Sequence, residues 1–123
     1  MTDADRELLE RAYAVAARAY APYSEFHVGC AVRTRDGRVF EGVNVENAAY
    51  PLGVCAEKTA LGAAATSGVR PGDVEALAVT ASPCGGCRQW FHEFRIERVI
   101  YRQAGAEVAV TTPDELLPDT FEL

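Results

Sequence analysis

The sequence predicts an α/β fold in which a mixed five-stranded sheet carries helices packed on it. Three observations lead there. Short apolar, β-branched runs alternate with Ala- and Leu-rich stretches of helical period. Turn signals fall between them: Asp36-Gly37, Gly68, Gly105 and Pro113. The resulting order, α-β-β-α-β-α-β-β-α, returns helices to a sheet and requires crossovers.

Residues 3–20 read as the opening helix. Leu8, Leu9, Ala12, Ala16, Ala19 and Tyr20 recur at helical spacing, Thr2 or Asp3 can cap it, and Pro22 stops it. A hairpin follows, with Val28 to Thr34 and Val39 to Val45 joined at Asp36-Gly37. Glu46 to Val54 contains Pro51 and Gly53 and reads as loop. The second helix starts at or just before Cys55 and runs to about Ser67, where Gly68 ends it. Val74 to Thr80 is a short strand. Pro83 opens a third helix that reaches about Phe94. Val99 to Arg102 and Glu107 to Thr111 are the last strands, and Thr112-Pro113-Asp114-Glu115 begins a short final helix.

All 123 residues fit one domain, with 49% apolar and 24% charged residues. No stretch approaches the roughly 20 uncharged apolar residues of a membrane span. The acidic, polar start lacks the basic-then-apolar pattern of a signal peptide, so a cytoplasmic protein is expected. Twelve basic against eighteen acidic residues give a net charge of −6. Gripping a polynucleotide needs clustered Lys and Arg to displace counterions, and no such cluster is present, so no nucleic-acid partner is expected.

Four cysteines carry the chemistry. Cys84 and Cys87 stand three apart in S-P-C-G-G-C-R-Q-W. Alone, that spacing suits a disulfide, a dithiol redox pair, half a structural zinc knuckle or part of a catalytic site. A third cysteine, Cys55, begins another helix in C-A-E, with Glu57 two residues on. Three thiolates around Zn²⁺ leave the fourth tetrahedral position open, which is the arrangement of a catalytic site. All three lie at helix N-termini, where amides and the helix dipole favour thiolate. Three thiolates and Zn²⁺ sum to −1, so nearby positive charge from Lys58 and Arg88 is expected to matter. Glu57 points some 200° away from Cys55 on an ideal helix. It is poorly placed as a ligand and well placed as a general acid/base beside the metal's water.

These residues match the zinc deaminases that combine a Cys₃ site with a non-ligating glutamate. The chain resembles the small, homotetrameric cytidine deaminases along nearly its full length. The match lies in Y-S-E-F-H-V-G (23–29), the run 36–57 ending V-C-A-E, S-P-C-G-G-C-R-Q (82–89) and E-L-L-P (115–118). The resemblance implies a three-layer α-β-α sandwich with the zinc site at the N-termini of two helices. It implies one Zn²⁺ per chain on Cys55, Cys84 and Cys87, with Glu57 moving protons in the conversion of cytidine to uridine and ammonia. Asn44 and Glu46 would hold ribose hydroxyls, Phe26 would pack on the nucleoside, and the backbone at Ala56 and Ser82 would grip the base edge. Asn44 and Glu46, two apart in an extended segment, also share one face by their spacing. Tyr50 and Phe121 would reach neighbouring sites of a homotetramer.

The chain departs from the family at Lys58, where an arginine usually follows C-A-E, at the short run 79–82 and at Trp90. A deaminase for a modified cytosine nucleoside of the blasticidin S type is a rival reading. A non-catalytic zinc-stabilised binding module is another, and it would need Cys30 as a fourth ligand. Otherwise Cys30 reads as a small buried apolar group, and His27 and His92, with no partner at ligand spacing, as surface or satisfied residues.

Overall fold

A computed structural model of the chain describes residues 1–103 and 105–123. The elements follow the predicted order. α1 (Asp3–Ala16) precedes the hairpin β1 (Gly29–Thr34) and β2 (Val39–Val43), and α2 (Ala56–Thr66) precedes β3 (Val74–Val79). Then come α3 (Gly85–Glu93), β4 (Arg98–Tyr101), β5 (Ala109–Thr111) and α4 (Pro113–Leu116). A single 3₁₀ turn, Tyr50–Leu52, interrupts the loop before α2.

The sheet order is β2-β1-β3-β4-β5, with β3 and β4 parallel and the other pairs antiparallel. Alternation along the central strands divides the core in two. Cys30, Val32, Leu77, Val79 and Val99 face one way and join α2 and α3 through Leu61, Ala64 and Phe91. Ala31, Ala76, Ala78 and Ile100 face the other way, against Leu8, Leu9 and Ala12 of α1. The period-2 pattern of the strands thereby places helices on both faces, which is the expected three-layer sandwich.

Several boundaries differ from expectation, among them β5, which begins at Ala109 rather than Glu107. α1 ends at Ala16 rather than Tyr20, because Tyr20 leaves the helix to bridge Val45, donating its N–H to Asn44 O (3.0 Å) and accepting from Glu46 N (2.8 Å). β2 stops at Val43, since Val45 pairs with Tyr20 and Val54 instead of with β1. α3 starts at Gly85 with Cys84 as its N-cap, so Pro83 lies just outside the helix that it was expected to open.

Two close approaches set the helices on the sheet. A Cβ at Gly29 would overlap Ala12 O, and one at Gly42 would overlap Ala60 N and lie 2.6 Å from Ala56 O. α2 therefore rests backbone to backbone on β2. Thr59 adds a tie, its hydroxyl lying 2.8 Å from Val43 O and 2.9 Å from Ala56 O. Together these fix the height of the α2 N-terminus above the sheet, where Cys55 and Glu57 begin.

α1 is held by charge as well as by packing. Asp5 is 1% exposed. Its carboxylate accepts from Arg33 (2.6 Å) and from Arg98 (3.1 Å to each oxygen), which ties α1 to β1 and β4. Burial alone would raise its pKa, but the bonds and charges of Arg98 and Arg33 prevail and hold it below 3.8. The stability this supplies is complete above pH 3.8 and is lost as pH falls through the lower, folded-state value. Asp5→Asn should destabilise the fold by about 2 kcal/mol at neutral pH, less than for a fully buried pair because both arginines keep some solvent contact. It should also flatten the loss of stability below pH 3.8, as read by urea unfolding across pH. A variant as acid-sensitive as the parent would remove Asp5 from this role.

Candidate active site

Cys55 is the N-cap of α2, while Cys84 is the N-cap of α3 and Cys87 lies in its first turn. Each helix start follows chain leaving the sheet, and the two converge at one sheet end. Cys55 Sγ and Cys84 Sγ are 3.7 Å apart, and all three sulfurs lie within 4.8 Å of one another. Tetrahedral zinc with bonds of about 2.3 Å separates its sulfur ligands by about 3.8 Å. The donor set therefore fits Zn²⁺, one ion per chain, and supplies three ligands, not four. Cys30 is fully buried in the core between β1 and the helices, outside this cluster.

The environment favours the thiolate at Cys55. The Cys84 sulfur accepts the Cys87 amide (3.5 Å). Hydrogen bonding from the Cys87 thiol, then from Cys84, and the charge of Lys58 bring Cys55 down to about 6. Cys87 moves the opposite way, because it donates to Cys55 and sits buried beside Glu57. Lys58 supplies the positive charge expected of it: its Nζ lies against Gly86, 3.4 Å from where a Cβ would stand there. Arg88 does not. Its hydrogen bonds go to Pro83 O, Leu116 O and Ser82 Oγ, so its guanidinium faces the protein frame and not the thiols.

Glu57, in the first turn of α2, is 4% exposed yet lines the cavity above the cysteines. Burial pushes its carboxyl up to about 7, against the hydrogen bond from its own amide. A carboxyl poised there can both take and give a proton near neutral pH.

The cavity measures about 680 Å³ and holds Cys55, Cys84, Ala56, Glu57 and Ser82 at its floor and wall. Phe26, Asn44 and Glu46 also line it. Cys87 lies buried behind this floor. Phe26 is 60% exposed and lines the cavity, so its ring is not part of the core.

Asn44 and Glu46 share the cavity but also brace the loop that carries Phe26. Asn44 Oδ1 accepts from Val28 N (2.8 Å), and its Nδ2 donates to Phe26 O (2.8 Å). One N–H and one lone pair remain. Glu46 Oε1 accepts from Tyr23 N (2.9 Å) and Ser24 N (3.1 Å), and its Oε2 accepts from the Ser24 hydroxyl. The Ser24 hydroxyl is the leading cause that holds the Glu46 carboxyl below its ordinary range, and one acceptor position stays free on Oε2. Ser24 is a residue that sequence reasoning passed over; its only signal was its place between Tyr23 and Phe26. His92 is satisfied as expected, its Nε2 lying 2.9 Å from Pro113 O and 2.8 Å from Leu117 O, and His27 is on the surface.

An open three-thiol metal site with a buried carboxyl at the floor of a ligand-sized cavity defines a metal-dependent hydrolytic centre. Residues 2–103 match the model of the cytidine and deoxycytidylate deaminase zinc-binding region. A cytidine deaminase of Halalkalibacterium halodurans is 42% identical over 127 residues, covering 95% of this chain and 94% of that protein. One from Sporosarcina psychrophila is 42% identical over 112 residues, covering 85% and 81%. The crystal structure of cytidine deaminase from Burkholderia pseudomallei superposes with a TM-score of 0.89 at 45% identity, over 98% of this chain and 100% of that one. The chain belongs to the cytidine and deoxycytidylate deaminase zinc-binding family.

Proposed function

We propose that the protein is a zinc-dependent hydrolytic deaminase that converts cytidine and deoxycytidine to uridine and deoxyuridine with release of ammonia. The observation that carries this is Glu57, buried at the cavity floor beside three cysteines of zinc-ligand spacing. The family match and the relatives named cytidine deaminase support the substrate class.

When bound by Cys55, Cys84 and Cys87, Zn²⁺ supplies Lewis-acid activation of water at neutral pH. Glu57 takes a proton from the attacking water, delivers one to N3 of the pyrimidine as C4 is attacked, and passes one to the departing amino group. Ala56 lies in the first turn of α2, where amides have no helical partner and can meet the base edge. Ser82 also lines the cavity and would offer its backbone to the base edge. The free N–H and lone pair of Asn44 and the open position on Glu46 Oε2 match a pair of ribose hydroxyls, one donor and one acceptor at a time. Phe26 covers the sugar and base from the mouth. Closing the cavity in this way keeps bulk water from the reacting carbon.

The 123 residues act as one domain, in the cytoplasm, within pyrimidine salvage. Free thiols at metal spacing suit a reducing compartment. Among the described residues no helix is long and apolar enough to cross a membrane. Assembly as a homotetramer would cover exposed apolar residues of the cavity lining, where Tyr50 is 91% and Tyr23 62% exposed. Phe121, also exposed, would join that interface.

Ultraviolet absorbance of the zinc-loaded protein with cytidine, deoxycytidine, blasticidin S and free cytosine tests the reading. Both nucleosides should be consumed, and cytosine should lag by about 10²-fold or more for want of the sugar contacts. Turnover of cytosine with neither nucleoside consumed would overturn the ribose assignment, and turnover of blasticidin S alone would favour the modified-nucleoside reading. No turnover of any of them with zinc bound would leave a structural zinc module.

A further inference from the structure

Part of the cavity wall is the irregular run 80–84 between β3 and α3, from which Ala81, Ser82 and Cys84 line the cavity. Its start is pinned to β1, where Thr80 N donates to Gly29 O (3.1 Å) and Gly29 N donates to Thr80 Oγ1 (3.1 Å). Its end enters α3, where Arg88 N donates to Cys84 O (3.0 Å). Between those points Pro83 has no N–H, and the run lies outside every strand ladder. Among the described residues, each hydrogen bond to Ala81–Pro83 comes from the Arg88 side chain. Nε donates to Pro83 O (2.9 Å), and the weaker contact of the second terminal nitrogen is to Ser82 Oγ (3.4 Å). The first terminal nitrogen donates to Leu116 O (2.9 Å), the last carbonyl of α4. The planar fork thus spans the cavity wall and α4 at once, a geometry that a single ammonium cannot reproduce.

We infer that Arg88 is a positioning residue for this enzyme, holding the Ala81–Ser82 wall at the distance the pyrimidine needs by bracing it against α4. The inference rests on the nucleoside-deaminase reading of the cavity. Arg88 is not among the residues lining the cavity and its side-chain hydrogen bonds do not go to the thiols, so its loss should act on binding and leave the metal in place.

The test compares Arg88→Gln, Arg88→Lys and Arg88→Ala in the zinc-loaded protein. Each should keep about one zinc per chain by metal analysis, with KM for cytidine raised about tenfold and kcat changed less than about threefold. Arg88→Lys should remain as impaired as Arg88→Gln, and millimolar methylguanidinium should lower KM of Arg88→Ala only. Amide hydrogen exchange over residues 80–84, measured without substrate, should speed up about tenfold in Arg88→Gln. Zinc loss, full recovery in the lysine variant, or KM within about twofold of the parent would overturn the inference. Unchanged exchange over 80–84 would overturn it whether or not the protein turns over cytidine. Failure of the parent itself to deaminate any cytosine nucleoside would instead refute the function, leaving the exchange result to stand alone.

Discussion

Glu57→Gln is expected to keep its zinc and bind nucleoside within a few-fold of the parent while kcat falls by about 10²–10⁴-fold, the range of a lost general acid/base. The substitution preserves shape and removes only the ability to exchange a proton. Because Glu57 is 4% exposed, water is poorly placed to substitute for it. Its raised pKa has the same origin: burial favours the neutral acid, which makes the carboxyl a ready donor as well as an acceptor. Metal analysis, binding of uridine and single-turnover absorbance separate the steps. Near-parental turnover would remove Glu57 from the proton path; loss of zinc would show that it holds the site together instead.

The second large effect is at the thiols. Cys55→Ala, Cys84→Ala and Cys87→Ala should each lose zinc and fall to background turnover. The loss should exceed the roughly 10–100-fold typical of removing an outer partner of a metal ligand. Cys30→Ala should keep about one zinc per chain and full activity, since Cys30 is packed in the core away from the cluster. The informative contrast is between these variants. If Cys30→Ala also lost zinc, the ligand set would be closed and the catalytic reading would fail.

What was legible in the sequence divides along physical lines. The nine main elements and their order follow from hydrophobic period and turn residues, which act locally. The grouping of Cys55, Cys84 and Cys87, with Glu57 lining the same cavity, was legible because metal chemistry demands particular residue types at fixed offsets from helix starts. The end of α1 was not. Ala17, Arg18 and Ala19 continue a helical pattern, and only pairing of Tyr20 with Val45, a contact across the fold, ends it. Arg88 was read as a counter-charge for the thiols because its charge is visible in the sequence. Its partners, the carbonyls of Pro83 and Leu116, are backbone atoms that every residue possesses. Ser24 was missed for a related reason: its bond to Glu46 depends on where the loop folds back, and a lone serine carries no such signal. In the same way, the doubled duty of Asn44 and Glu46, bracing a loop while facing the cavity, needs coordinates to be seen.

The division of the cysteines between α2 and α3 also bears on how the chain reaches its native state. Cys55 is delivered by the β1–β2 hairpin and α2, whereas Cys84 and Cys87 depend on β3, which pairs antiparallel with β1. That β1–β3 pairing joins residues forty or more positions apart, so a long loop must close before it forms. The three sulfurs can meet only once it has formed. A three-thiol site therefore exists only with the sheet complete: without the β1–β3 pairing, Cys55 is not brought to Cys84 and Cys87.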